Sequence, residues 1–281
     1  MLCRAYGAET IGDSWQDVGR SSIVEAYRQG WLNETALSAP RSPMCRSVLV
    51  ESAFAAADVP VYDSTLYEGG ASLSTADNIL RVGRELGLCS DDADTNALVT
   101  RGDAAIILHV VLTQSFRIEE PPVPVTLVNA AGVNVNDFLL ELRKLPEQVL
   151  DAFNAAGWTY CIDFDYMGGL SKKLNMSCIG ATSYGQKTIY ISEASATLHE
   201  FGHFLDWMLG FPAEHEQLFR AEAAAAPLRD YAKTNAREYF ADCFAYWVKY
   251  AENANAISLL QECAPMTYRY MEDLMRIANR L

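Results

Sequence analysis

Histidine is scarce in this chain, with four in 281 residues: His109, His199, His203 and His215. Two of them fall in one short motif, His199-Glu200-Phe201-Gly202-His203. On a helix, positions i and i+4 share a face, so both imidazoles can reach one metal ion. The glutamate at i+1 then stands beside the open coordination position, where it can take a proton from metal-bound water. A catalytic zinc needs a third protein ligand. The extended pattern HExxHxxGxxH is absent, because the sequence continues FLDWMLGF, and His215 lies too far along. An ExxxD pattern offers another solution in Glu238 and Asp242. At i and i+4 these share a face, so Glu238 could bind the metal while Asp242 accepts the N–H of a ligating histidine. Glu214, Glu216 and Glu222 compete for the ligand role, although their amphipathic stretch turns glutamates toward solvent. Asp206, just past His203, either supports the site or faces water.

These residues need a scaffold, and the composition allows one. Half of the residues are apolar and 21% are charged, as in a globular protein with a sizeable core. The net charge of −14 excludes sequence-independent binding to nucleic acid, which needs a basic surface. No apolar run is long enough to span a bilayer, and the N-terminus has no apolar segment of the kind a signal peptide carries. Seven cysteines, an odd number with no CxxC spacing, read as free thiols. Around the motif, Leu145-Pro146 opens a helix that Gly157 ends, and Trp158 to Phe164 reads as a strand. Met167 to Tyr184 reads as a long loop, and Lys187 to Ser192 as a second strand. The HExxH helix starts near Ser195 and stops at Gly210 and Pro212. In such sites the strand beside the helix can pair with extended substrate, which makes Thr188 and Tyr190 candidate substrate contacts.

A proline-rich connector, Glu119 to Val125, divides the chain. The expected division is a helical domain over 1–118, the linker over 119–125 and a domain carrying the HExxH motif over 126–281. The first domain contains a weak repeat with an offset of 57 residues, each unit reading helix, glycine, loop, helix. Gly30 and Gly87 are the helix terminators. The second unit, with VTRGDAAIIL from Val99 to Leu108, resembles the S-layer homology repeat. That resemblance implies wall-polysaccharide binding through Arg101 and Asp103 and a cell-surface location. The first unit carries Met44 where the arginine would stand.

HEFGHFLD followed by DYAKTNAREYFADCFAYW resembles the catalytic domain of anthrax lethal factor and its relatives, the bacterial Pro-Pro endopeptidases among them. The resemblance runs from about Lys187 to the C-terminus and more loosely back to Pro122. It implies a gluzincin-type zinc metallopeptidase, usually secreted, that hydrolyses a protein or peptide substrate by Glu-assisted attack of zinc-bound water. By matching positions it implies His199, His203 and Glu238 as ligands of one Zn2+, Glu200 as general base and Tyr231 as the donor to the tetrahedral intermediate. The expected architecture is α+β: a mainly helical two-repeat domain, then a zincin-like domain with a small sheet and the HExxH helix. The alternative is a non-catalytic wall- or protein-binding module on the same scaffold.

Overall fold

Gly30 and Gly87, the two glycines that punctuate the N-terminal repeats, adopt φ of 75° and 72°. Side chains with a Cβ rarely enter that left-handed region, so both glycines end their helices. The protein is seen here as a computed structural model, which describes residues 2–8, 14–39 and 42–278. It divides into two compact units, Met1–Pro122 and Val123–Leu281.

Among the described residues the first unit contains α1 (Leu2–Ala5), α2 (Trp15–Arg28), α3 (Glu34–Ser38), α4 (Arg46–Ala56), α5 (Thr75–Glu85) and α6 (Arg101–Thr113). Val50, Phe54, Leu80, Ile107 and Val111 form its core, which joins α4, α5 and α6. The segments that lead into α4 and α6 meet in antiparallel fashion. Val99 N–H donates to Met44 O at 3.0 Å, and Arg46 N–H to Ala97 O at 2.9 Å. Asp103 has a local task in a capping box. Its carboxylate accepts the Thr100 N–H at 2.7 Å, while Thr100 Oγ1 accepts the Asp103 N–H at 3.2 Å. Arg101 stands exposed at the first position of α6.

The second unit holds β1 (Leu127–Asn129), α7 (Asn136–Leu142), α8 (Glu147–Ala155), β2 (Thr159–Ile162), α9 (Phe164–Leu174), β3 (Gly180–Ser183) and β4 (Thr188–Ile191). Helices α10 (Thr197–Met208), α11 (Ala213–Glu222), α12 (Ala236–Lys249), α13 (Ala254–Cys263) and α14 (Pro265–Ala278) follow. The sheet order is β1-β2-β4-β3, with β3 antiparallel to β4 and the remaining pairs parallel. The architecture is α+β, as the sequence predicts.

Where a long loop is expected, over Met167 to Tyr184, the chain instead forms α9 and β3. Gly168 and Gly169 lower helix propensity by about 1 kcal/mol each relative to alanine, which hides the helix from a sequence reading. Three features restore it. Asp163 caps its start by accepting the Tyr166 N–H at 2.8 Å, Met167 is buried, and Asn175 ends it in the left-handed conformation. No helix among the described residues is long and apolar enough to cross a membrane.

Two cores grip α10 and α12. Phe201 and Phe204 of α10 pack on Phe153 of α8 with ring centroids 4.8 and 5.1 Å apart, and Trp158 joins Phe204 at 5.2 Å. On the far side, Tyr239, Phe240 and Cys243 of α12 pack with Leu218, Leu260 and Met271 of α11, α13 and α14. Buried aromatics contribute much of the apolar area in such cores, so both helices are firmly located.

Candidate active site

A bare Cα allows α10 and α12 to meet. A Cβ added to Gly202 would lie 2.6 Å from Ala241 Cα and 2.8 Å from Ala241 O. Glycine thus lets the two backbones approach, which brings the first turn of α12 against the histidine face of α10. Asn235 fixes where α12 begins, its Oδ1 accepting the N–H groups of Arg237 and Glu238 at 3.0 and 3.1 Å.

His199 Nε2, His203 Nε2 and Glu238 Oε2 converge as a result. The histidine nitrogens are 3.1 Å apart, and the carboxylate oxygen lies 3.1 and 3.3 Å from them. Glu238 Oε2 and His203 Nδ1 are buried, with no hydrogen-bond partner of good geometry among the described residues. Burial disfavours charge on His199, yet the Asp242 hydrogen bond and the Glu238 carboxylate outweigh it and raise its pKa to about 9. Burial also works against a charged Glu238, but the two imidazoles hold its carboxyl far below the usual range. The field at the meeting point therefore favours positive charge. Two imidazole nitrogens and one carboxylate oxygen form a donor set that suits zinc, so the residues present fit that ion.

Behind the triad, His199 Nδ1 lies 2.6 Å from Asp242 Oδ1. An ionised carboxylate can only accept, so Nδ1 carries a proton, and a metal that displaced the second ring proton would meet the Nε2 lone pair. Asp242 is held in turn by Arg229, whose Nε donates to Oδ2 at 2.6 Å and whose Nη2 donates to Oδ1 at 2.8 Å. Burial opposes the charged form of Asp242, and His199 and Arg229 together pull its pKa below the ordinary value. Nothing in the sequence marks Arg229. Its role depends on a 3₁₀ turn, Asp230–Lys233, that folds back beside α12.

Glu200 lies 5% exposed on the same helix. Its Oε2 accepts the Thr182 hydroxyl at 2.7 Å. A Cβ on Gly180 would lie 2.6 Å from Glu200 Oε1, so only glycine leaves the carboxylate its place. Both contacts come from β3, in the segment expected to be a loop. Tyr231, 43% exposed, sets its ring centroid 6.2 Å from that of His199. Partial burial and the Glu238 carboxylate raise the phenol above its ordinary pKa, so it remains a proton donor at neutral pH. All these groups line one cleft of about 1360 Å³.

Other expected residues lie elsewhere. Asp206 is 1% exposed and bonds His215 Nδ1 at 2.7 Å, while His215 Nε2 meets the Tyr270 hydroxyl at 2.8 Å. It ties α10 to α11 and α14 instead of orienting a triad histidine. Thr188 and Tyr190 do not line the cleft. Strand β4 is paired on both edges, by β2 and β3, so it has no free backbone for a substrate. Tyr190 stacks on Tyr166 at 3.7 Å. Glu222 caps α14 by accepting the N–H groups of Met266 and Thr267, each at 2.8 Å. Glu216 pairs with Arg220 at 2.7 Å, and neither Glu214 nor Glu216 belongs to the triad.

Residues 141–274 match the family described as anthrax toxin lethal factor, N- and C-terminal domain. The match supports a lethal-factor-like metallopeptidase. It takes in the triad, Glu200, Arg229, Tyr231 and Asp242. Among solved structures, the Pro-Pro endopeptidase of Paenibacillus alvei aligns with 53% of this chain and 96% of its own, at 18% identity and a TM-score of 0.41. No curated protein matches the chain.

Proposed function

We propose that the C-terminal unit is a zinc-dependent endopeptidase acting on a protein or peptide substrate. The observation that carries this reading is the convergence of His199, His203 and Glu238 in the same cleft as the Glu200 carboxylate. Those three residues would hold the zinc, and Asp242 with Arg229 keeps the His199 lone pair aimed at it. Bound there, zinc lowers the pKa of a water and polarises the scissile carbonyl.

The chain's own groups then manage protons and charge. Glu200 accepts a proton from the attacking water as the water oxygen bonds to the carbonyl carbon. It passes that proton to the amide nitrogen as the C–N bond breaks, and so returns to a carboxylate. The Thr182 hydroxyl, bonded to Oε2, fixes the orientation of that carboxylate. Tyr231 donates its phenol proton in a hydrogen bond to the carbonyl oxygen as negative charge grows there. Wall-polysaccharide binding by the N-terminal repeats stands only as the alternative, with Arg101 exposed and Asp103 engaged in its capping box.

The test compares the zinc-loaded protein with Glu200→Ala on a broad peptide library, with metal content measured for both. The expected result is one zinc per chain in each and cleavage by the native protein alone. A native protein that holds zinc but cuts nothing the variant spares would overturn the reading.

A further inference from the structure

Arg237 lies beside Glu238 in the first turn of α12 and lines the same cleft, yet the mechanism above gives it nothing to do. Three observations set it apart. First, a cation in a first turn opposes the helix dipole, which favours acidic groups there, so helix stability does not account for it. Second, no described carboxylate forms an ion pair with its guanidinium, whereas Arg229 is fully engaged with Asp242. The other cleft carboxylates outside the catalytic group, Glu141 and Glu216, are matched by Lys144 and Arg220.

Third, two aromatic rings hold it in place. The Arg237 guanidinium carbon lies 4.3 Å from the Phe211 centroid and 5.9 Å from the Tyr184 centroid. Those rings meet edge to face at 5.4 Å and 89°. Phe211 adopts a φ of 53°, in the left-handed region that a bulky residue seldom enters. Strain of that kind persists where the surroundings enforce it, and it gathers at binding sites. Aromatic faces leave the edge of a guanidinium, where its donors lie, free to meet a planar anion.

From this we infer that Arg237, clamped by Phe211 and Tyr184, is a subsite for a substrate carboxylate, so that the enzyme favours peptides with Asp or Glu near the scissile bond. The inference rests on the endopeptidase reading above. Tyr184 directly follows β3, whose Gly180 and Thr182 touch Glu200. Arg237 also adjoins Glu238, one of the three converging residues, so the acidic side chain falls within a few residues of the bond that is cut.

The experiment measures kcat/KM for matched peptides that carry Glu, Gln or Lys at each position within four residues of a cleaved bond. A charge-assisted bidentate contact makes the native Glu/Gln ratio about tenfold or more at one position. In Arg237→Gln that ratio falls to near one, in Arg237→Lys it is partly kept, and in Arg237→Glu the Lys peptide becomes the better substrate. Ratios within one protein cancel any general loss of activity or folding. Cleavage by the native protein with no acidic preference at any position would overturn this inference and leave the endopeptidase reading intact. So would a ratio that survives Arg237→Gln. A native protein that cuts nothing at all would instead remove both.

Discussion

Replacing Gly202 with alanine sets two physical effects against each other. Helix propensity alone favours alanine by about 1 kcal/mol in a helix interior. The structure opposes it, because the new Cβ would lie 2.6 Å from Ala241 Cα and 2.8 Å from Ala241 O. Carbon pairs settle at about 3.5–4.0 Å, so α10 and α12 must separate by about 1 Å. Both obstructing atoms are backbone and cannot rotate aside, which puts the overpacking cost near the top of its usual range, about 3 kcal/mol. The net loss is then about 2 kcal/mol, or about 4–8 °C in Tm for a domain of this size. The same shift carries Glu238 and Asp242 away from the histidines. Zinc affinity therefore falls by about 10- to 100-fold, as it does when the groups supporting a metal ligand are displaced. Thermal melting of the metal-free protein and a competition titration with a zinc chelator read the two effects separately. A Gly202→Ala protein as stable as the native one, with unchanged zinc affinity, would refute the close-approach reasoning.

Other residues around the site give sharper separations. Gly180→Ala pushes Glu200 off its position, so kcat should fall by about 100-fold while zinc content stays at one per chain; loss of zinc in this variant would contradict the assignment. Arg229→Met strips Asp242 of its bidentate partner, and zinc affinity should drop by about tenfold or more in a competition titration. If only substrate KM changes, Arg229 serves the substrate and not the histidine. Removing zinc with a chelator should lower the Tm of the native protein but leave Glu238→Gln nearly unmoved, since ligand binding stabilises only a fold that can bind. Equal shifts in both would place the metal elsewhere.

What could be read from the sequence follows from the range of each interaction. His199 and His203 share a face because they are four residues apart, and the same periodicity pairs Glu238 with Asp242. Local spacing was enough for both. The approach of those two faces depends on Gly202 meeting Ala241, which no local pattern announces. Arg229, Thr182 and Gly180 escaped for the same reason: each acts across strands or turns on a partner 13 to 20 positions away. Strand order is also a tertiary property. Alternation identified Lys187 to Ser192 as a strand but could not show that β3 would cover its free edge. Gly168 and Gly169 argued for a loop, and a cap at Asp163 with the buried Met167 outweighed them. The position of Asp206 beside the motif leaves two readings, support of the site or exposure to water, and the buried bond to His215 answers to neither.

All seven cysteines are free thiols. Cys243 follows Asp242 directly and has no solvent exposure, and burial raises its pKa well above the ordinary value. A thiol in that state reacts with an alkylating agent only when the packing around α12 opens. The rate at which Cys243 becomes labelled is therefore a clock for local opening beside the triad. It needs no introduced probe, and zinc should slow it.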